Sequence, residues 1–472
     1  MTRNPVIWSL VQRFGSDALS YATVFILAIL LSPEDFGIVG IASLWVALIS
    51  TLSELGLSSA LIQRESIRPE HLSTTFFLSL AVGIALAAGG VLGSSTIARL
   101  FRAPEATPVV AVLSLGFLMT SISTTQQALA LRELRLADVA VRDIAAASFG
   151  GFSAIVLAYR GFGVWSLVVQ NLAAGAMASL LLWRISPWRP RLKEVSLRAV
   201  RELWRYSSSM FLFNFLKFLS QNIDRLVVGR LLGAPMLGLY NFAHRLVVYP
   251  ASALAGAFGQ YQFPSFSRMQ ENIDRVRSSY LSFNRASATV VLPAVFALAV
   301  VSPAIIPALF GERWSAAVPL TRLLAIVALS VTVMSPMGNL MKALGRPGWL
   351  LRWSVGFTIL VTAFLWVGSS WGVVGAVAGV AGAYALSLPA VYYLTAKLLG
   401  LGIGDFLRPF VPSTVASAVA VAALLLTGLV SPMPDVGRLL LGGGLGLVAY
   451  CLVILRMDRP FLVQVFDRVR GK

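Results

Sequence analysis

The sequence predicts an all-α polytopic membrane protein with about 14 transmembrane helices, and three observations support this class. Apolar stretches of about twenty residues fill the chain almost end to end, and each could cross a bilayer core about 30 Å thick. The composition is 57% hydrophobic and only 12% charged, with a mean hydropathy of +0.80. Because lipid offers no water to free backbone groups, each stretch must form a helix.

Short turn-like or basic links separate these stretches. The predicted spans are residues 8–32, 38–63, 72–99, 108–130, 138–159, 164–184, 207–232, 239–263, 286–309, 317–341, 349–368, 373–396, 409–430 and 437–455. The links are too short for a separate soluble domain of about 50 residues or more. Any function must therefore lie within the helical bundle or along a path through it.

The net charge of +18 comes from basic residues that occur in every second link. Arg64, Arg132 and Arg346 lie on this side, whereas the links at 32–35 and 161–163 on the other side carry no basic residue. This alternation follows the positive-inside rule and places both termini in the cytoplasm, in agreement with an even number of spans. Since the basic residues do not form one face, we predict no nucleic-acid partner.

The link at residues 185–206 is the longest and most basic, and it includes Arg189, Arg191 and Lys193. One interpretation is an amphipathic segment that lies on the lipid surface and helps to fix the topology. The other is a segment that recruits an anionic lipid substrate from the inner leaflet. The sequence leaves both open.

An internal repeat relates the two halves of the chain. Leu30–Gly37 ends the first span and opens the second, and Leu231–Gly238 does the same for spans seven and eight, 201 residues later. An even number of spans separates the copies, so both halves insert with the same orientation, as in transporters with parallel repeats. We therefore predict two six-helix lobes and two further helices. The predicted parts are an N-terminal lobe at 1–184, a basic cytoplasmic linker at 185–206, a C-terminal lobe at 207–396, and the last two helices with a basic tail at 397–472.

Polar residues form matching stripes in the first span of each half. In span seven the stripe consists of Asn214, Lys217, Gln221 and Asp224, with Arg225 beside it. The positions 201 residues earlier are Arg13, Ser16, Ser20 and Thr23, with Asp17 beside them. Their spacing places each set on one helical face. A charge at the bilayer centre costs about 2.5–3.5 kcal/mol on insertion scales, so these faces need partners or water.

Two interpretations of the stripes remain open. They either form a buried structural pair, such as Asp224 with an arginine, or they line a water-filled cavity between the halves, where transporters place substrate sites. Arg245, next to His244, lies deeper in its span than the arginines near cytoplasmic ends and is a further candidate for the cavity. Arg142, Asp143 and Arg285 lie near predicted cytoplasmic ends, where long side chains can reach the interface.

Sequence signatures of catalysis are absent. The chain has no H-E-x-x-H and no G-x-x-x-x-G-K-[ST], and its one cysteine allows neither a disulfide framework nor a thiol metal site. We therefore predict no cofactor, no metal and no enzymatic activity. Without an ATPase module, uphill transport would need an ion gradient or removal of the product.

Several local patterns together resemble the Wzx-type oligosaccharide flippases, in the teichuronic- and colanic-acid exporter branch of the multidrug/oligosaccharidyl-lipid/polysaccharide exporter superfamily. The matching segments are Leu31–Gly37, Glu54–Arg64, Asn222–Gly233, Pro264–Arg268, Leu309–Trp314 and Ala343–Arg346. They follow in the family's order over roughly residues 5–400.

The resemblance implies export of a lipid-diphosphate-linked glycan across the bacterial inner membrane by alternating access. It implies a central cavity whose cations hold the diphosphate, for which Arg13, Lys217, Arg225 and Arg245 are the candidates here. We add Asn214 and Gln221 on the same face as substrate contacts. Asp17 and Asp224 would neutralise part of that positive field, or would carry a coupling proton or sodium ion.

Three other functions compete with this interpretation. A cation-coupled multidrug antiporter of the same fold is the nearest, although such proteins usually have twelve spans and a carboxylate-led site. A membrane glycan polymerase would need catalytic groups on a larger outer loop. A scaffold without transport activity would not need two matching polar stripes.

Overall fold

The computed structural model describes residues 5–53, 61, 67–196, 218–430 and 435–469. By their internal contacts the residues divide into two compact units, Met1–Asn241 and Phe242–Lys472. All regular structure in the described residues is helical, and they contain no strand.

The first unit holds eight helices and the beginning of a ninth within its described residues. They are α1 (Pro5–Leu30), α2 (Pro33–Ser53), α3 (Pro69–Leu100), α4 (Ala106–Ser114), α5 (Gly116–Arg132), α6 (Leu136–Tyr159), α7 (Val164–Ile185), α8 (218–232) and the start of α9 (Ala234–Arg268). Helix α1 packs on α6, α6 on α7, and α3 on both α4 and α5.

The second unit contains the rest of α9 and the C-terminal helices. They are α10 (Ile273–Phe310), α11 (Ala317–Ala343), α12 (Pro347–Ser369), α13 (Gly372–Leu399), the short α14 (Ile403–Leu407), α15 (Val411–Val430) and α16 (Asp435–Val469). Helices α12 and α13 pack together, α11 contacts α10 and α13, and α15 packs on α10 and α16.

The predicted spans agree with these helices. Each span coincides with a helix over its described residues, and the fourth is divided between α4 and α5. Within the described part of the chain, ten helices are long and apolar enough to cross a membrane, and the segments Gly15–Leu30 and Val411–Thr427 are shorter and apolar. The chain is therefore an all-α polytopic membrane protein.

A capping box begins α2 in the first copy of the repeat. The Ser32 side chain accepts a hydrogen bond from the backbone N–H of Asp35, and the Asp35 carboxylate accepts from the backbone N–H of Ser32 at 2.9 Å. Two backbone donors at the start of the helix are thereby satisfied. Pro33 occupies the first helical position, where its missing N–H costs nothing. In the second copy Gly233, with φ of 85°, makes the turn instead.

The two copies of the repeat contact each other within the first unit. A Cβ added at Gly37 would overlap the carbonyl oxygen of Ala234, and a Cβ added at Gly238 would overlap the carbonyl oxygen of Pro33. The contact is reciprocal, because each glycine and each carbonyl lies 201 residues from its counterpart. Glycines allow helix backbones to approach this closely.

A hydrophobic core in the second unit joins α9, α10, α11 and α13. Phe266, Tyr280, Leu340 and Val391 are fully buried within it. Beside the end of α10, Trp314 is fully buried and its ring lies 4.2 Å from that of Phe242. The segment 309–314, one of the segments that resemble the flippase family, therefore has a packing role in this fold.

Helix α10 contains three prolines. Two of them leave a backbone carbonyl without its helical hydrogen bond, and a side chain from another helix binds each of these carbonyls. Pro293 cannot donate to the carbonyl of Thr289, which accepts from the Tyr450 hydroxyl of α16 at 2.6 Å. Pro303 likewise leaves the carbonyl of Ala299, which accepts from Arg322 of α11 at 3.3 Å. Tertiary hydrogen bonds thus replace helical ones.

The C-terminal helix α16 is joined to α10 by an ion pair. Asp458 is fully buried at a non-helical position inside α16 and binds Arg285 with both carboxylate oxygens, one at 2.7 Å. Arg142 is also buried and binds the neighbouring carboxylate of Asp143. Both arginines therefore have carboxylate partners, in addition to lying near predicted helix ends.

Candidate functional site

The predicted site residues fall into three groups with respect to the structure. Asn214 and Lys217 lie outside the described residues. Arg13 belongs to α1, but its side chain is not among those described. Gln221, Asp224 and Arg225 lie on α8 in the first unit, whereas Arg245 lies on the part of α9 that belongs to the second unit.

Asp224 has a hydroxyl partner from the next helix. The Tyr240 hydroxyl of α9 donates a hydrogen bond to Oδ2 of Asp224. The other oxygen, Oδ1, is buried and accepts no hydrogen bond from any described residue. A half-buried carboxylate with one open acceptor can bind a proton, a cation or a ligand hydroxyl.

Arg225 lies beside this carboxylate in sequence and is half-buried. Its Nη1 donates to the Asn222 side chain at 3.1 Å, one helical turn earlier. This contact holds the guanidinium against the amide of Asn222. Gln221 is exposed on the same helix. The described part of α8 therefore presents an amide, a carboxylate and a guanidinium over less than two turns.

The matching stripe on α1 is partly packed. Asp17, Ser16 and Ser20 are half-buried, whereas Thr23 is only 7% exposed. A Cβ added at Gly151 of α6 would overlap the Thr23 hydroxyl, so this end of the stripe contacts the backbone of α6. Thr23 therefore has a packing role in the structure.

Tyr240 is a residue of this region that sequence reasoning missed. It is buried, and it lies 16 residues after Asp224 on a different helix. The repeat gave no signal for it, because the position 201 residues earlier is the apolar Val39. Only the turn between α8 and α9, made by Gly233, brings the hydroxyl and the carboxylate together.

A metal centre in this region would need several ligating side chains close together. Within the described residues, no group of three or more His, Cys, Asp or Glu side chains could hold a metal ion. By their chemistry, guanidinium groups can bind an anion, amides can bind polar groups, and carboxylates can bind a proton or cation.

The fold and these charged groups define a multi-pass α-helical membrane protein with polar residues on otherwise apolar helices. The family model described as "Polysaccharide biosynthesis protein" matches residues 26–319, more than half of the chain. The chain belongs to this family.

Curated relatives match over most of the chain. The succinoglycan biosynthesis transport protein ExoT of Rhizobium meliloti (strain 1021) is 29% identical, over 100% of this chain and 96% of its own length. The lipopolysaccharide biosynthesis protein WzxC of Escherichia coli (strain K12) is 27% identical, over 79% of this chain and 76% of its own. The teichuronic acid biosynthesis protein TuaB of Bacillus subtilis (strain 168) is 25% identical, with 85% and 84% covered.

Solved structures share the fold. The lipid II flippase MurJ in an inward closed conformation superposes with a TM-score of 0.77 at 12% identity, covering 97% of this chain and all of that one. An inward-facing multidrug resistance MATE family transporter gives a TM-score of 0.64 at 14% identity, with 84% and 98% covered. At these identities the likeness concerns the fold.

Proposed function

We propose that this protein is a flippase that moves a lipid-linked oligosaccharide or polysaccharide precursor across the bacterial inner membrane by alternating access. The observation that carries the proposal is its full-length similarity to a succinoglycan biosynthesis transport protein. The other two relatives named above also serve in the biosynthesis of glycans. The protein acts as a transporter rather than an enzyme and uses no cofactor.

The substrate site comprises Arg13, Asn214, Lys217, Gln221, Arg225 and Arg245. A lipid-linked glycan carries a diphosphate between its lipid and its sugars, and arginine binds phosphate oxygens with two parallel hydrogen bonds. Keeping these cations on apolar helices costs several kcal/mol, and an anionic substrate offsets that cost. The amides of Asn214 and Gln221 complete the site as hydrogen-bond partners.

Asp17 and Asp224 are the ion-coupling candidates, with a proton or sodium ion as the coupled species. The open Oδ1 of Asp224 supports this role, since a buried carboxylate oxygen without a donor accepts a proton or cation readily. Structural pairing is the competing role for Asp224, and the Tyr240 hydroxyl supports it. The Asp224→Asn substitution separates the two roles, because asparagine can accept the Tyr240 hydrogen bond but cannot ionise.

The proposed topology has both termini in the cytoplasm, with the basic links on the same side. Residues 1–184 and 207–396 form the two lobes of the transport cycle, 185–206 connects them, and 397–472 adds the last two helices. The 201-residue repeat supports this division.

A cation-coupled multidrug antiporter is the second candidate, because a MATE family transporter shares the fold. The two functions differ in what the cell loses. A flippase deletion removes a surface glycan and leaves drug susceptibility unchanged, whereas an antiporter deletion does the reverse.

Deletion of the gene in its native host tests the proposal. We expect loss of one surface polysaccharide, with accumulation of its lipid-diphosphate-linked repeat unit inside the cell, and recovery of both on complementation. Extraction of lipid-linked oligosaccharides followed by mass spectrometry measures the accumulation. Normal surface glycan with increased sensitivity to cationic drugs would instead identify the antiporter.

A further inference from the structure

Two cations meet at one aromatic ring, at the end of the second unit that carries its basic links. The Lys397 ammonium lies 5.1 Å from the centroid of the Trp349 ring, and the Arg346 guanidinium lies 5.8 Å from the same centroid. Arg346 directly precedes α12, whereas Lys397 lies in the last turn of α13. The packing of these two helices thus places two like charges close together. None of the proposed transport residues belongs to this group.

The cations of this group have no carboxylate partner. Among the described residues, no ion pair involves Arg346, Lys397 or the nearby Arg352 of α12, and all three side chains are exposed. The first turn of α12 contains no acidic residue. The carboxylate of Asp405, on the short helix that follows α13, is bound to Arg277 at 2.7 Å. Because like charges repel one another, an anion bound among these cations would stabilise their arrangement.

The helix ends account for the lysines of this region but not for Arg346. Lys342 and Lys397 lie in the last turns of α11 and α13, where the partial negative charge of a helix C-terminus favours a cation. Arg346 lies instead at the start of α12, where the partial charge is positive. The positive-inside rule explains on which side these cations lie, but not why two of them converge on one ring. The ring attracts each cation weakly and does not remove the repulsion between them.

The surroundings of these cations favour a phospholipid over a soluble anion. Only 11% of the apolar span of α12 is buried inside the protein, the lowest share among the candidate spans of the described residues. On this helix Arg352 shares one face with Val355 and Ile359, which are 50% and 64% exposed. Exposed aliphatic side chains in a membrane span face lipid chains. A cation at the end of such a face matches a lipid phosphate, and the aliphatic residues match its acyl chain.

We propose that the surface formed by Arg346, Trp349 and Lys397 binds the phosphate of an anionic phospholipid from the leaflet on the basic side of the membrane. The acyl chain of the same lipid lies along Val355 and Ile359. Arginine binds two phosphate oxygens in parallel, and the lysine ammonium adds a point charge. Tryptophan is enriched at the level of the lipid headgroups, where this ring lies at the start of a span. Binding of a membrane lipid here does not depend on the proposed function.

Native mass spectrometry of the full-length protein in detergent tests the site. The probe is dioleoyl phosphatidylglycerol, and dioleoyl phosphatidylethanolamine is the comparison without net charge. We expect the protein to retain the anionic lipid in preference to the other. The double variant Arg346→Gln, Lys397→Gln should bind phosphatidylglycerol about tenfold more weakly, because two cations next to the headgroup are lost. The double variant Arg268→Gln, Arg408→Gln is the matched control. It removes two exposed cations from the same side of the same unit and should bind as the wild type does.

The melting temperature of each variant shows whether it is folded, and exposed substitutions should change it little. The variant Arg346→Lys, Lys397→Arg keeps both charges and should retain most of the binding. Equal losses in the two glutamine double variants would indicate a diffuse attraction to the basic side and would overturn the proposal. Equal retention of both lipids by the wild type would overturn it as well. If soluble glycerophosphoglycerol binds as tightly as phosphatidylglycerol, the site takes a free phosphate group and the proposal of a lipid is wrong.

Discussion

Gly37 lies against the backbone of Ala234, so closely that a methyl group at position 37 would overlap the Ala234 carbonyl oxygen. The equivalent glycine of the second repeat, Gly238, lies in the same way against Pro33. The starts of α2 and α9 therefore meet through two equivalent backbone contacts. The atoms that an added Cβ would meet belong to the backbone, which cannot move aside as a flexible side chain could. The contact therefore depends on glycine at both positions.

Replacing Gly37 or Gly238 with Ala should destabilise the folded protein by about 1–3 kcal/mol, the usual effect of overpacking a fitted interface. Thermal unfolding in detergent and the amount of protein in the membrane measure the effect. Gly89→Ala is the control, since no atom lies within 4 Å of the added Cβ, and helix propensity there favours Ala by about 0.5–1 kcal/mol. Equal stability of all three variants would contradict the close backbone contact between the starts of α2 and α9.

Arg225→Ala and Lys217→Ala should each lower export of the lipid-linked glycan by about tenfold or more, because a charge-assisted contact to the diphosphate contributes about 1.5–3 kcal/mol. The amount of each variant in the membrane should change much less. Surface polysaccharide and accumulated lipid-linked precursor measure export. Arg230→Ala provides the comparison, since it lies on the same helix about 140° around the axis from Arg225. Normal export in both variants would remove these residues from the site.

Asp224→Asn separates ion coupling from structural pairing. Asparagine keeps an oxygen that accepts the Tyr240 hydrogen bond but cannot ionise. A coupling role predicts that the stably inserted variant still moves substrate but no longer responds to the ion gradient in proteoliposomes. Tyr240→Phe, which removes the donor and keeps the carboxylate, should retain that response. If Asp224→Asn shows the wild-type dependence on the gradient, the carboxylate serves only to bind Tyr240.

The Arg285–Asp458 pair should couple α10 to α16 by about 0.5–3 kcal/mol in a double-mutant cycle. Asp458→Leu alone leaves a half-buried guanidinium without its partner and should lower the melting temperature. Arg285→Met alone leaves the fully buried carboxylate of Asp458 without this arginine and should lower the melting temperature more. The double variant should recover part of the loss, because neither charge remains. Additive losses would contradict the coupling.

The positions of the helices could be predicted from the sequence because the bilayer imposes one length and one composition on every span. Because the same constraint makes all the spans alike, the sequence near one span does not indicate which other span it packs against. Arg285 and Asp458 lie 173 residues apart. Arg285 was expected to reach the membrane interface, and nothing near it in sequence indicated the buried carboxylate of α16.

The candidate site shows the same division. Periodicity predicts one polar face on α8 that includes Gln221 and Asp224, with Arg225 beside it, because spacing along one helix fixes which residues share a face. The partner of Asp224 depends on how α9 turns back, and Tyr240 has no polar counterpart in the first repeat. The repeat likewise revealed both glycine motifs but not that Gly37 and Gly238 meet the opposite copy.

The prolines of α10 have a mechanical consequence. Pro293 removes one helical hydrogen bond from α10, and the resistance of the helix to bending at that point then depends in part on the hydrogen bond from Tyr450. At Pro303 the outside support comes from Arg322. Any change in the angle at Pro293 must displace the Thr289 carbonyl from the hydroxyl that holds it. A change in the angle of α10 at Pro293 would therefore be coupled to the position of α16, through one hydrogen bond between residues 161 positions apart in sequence.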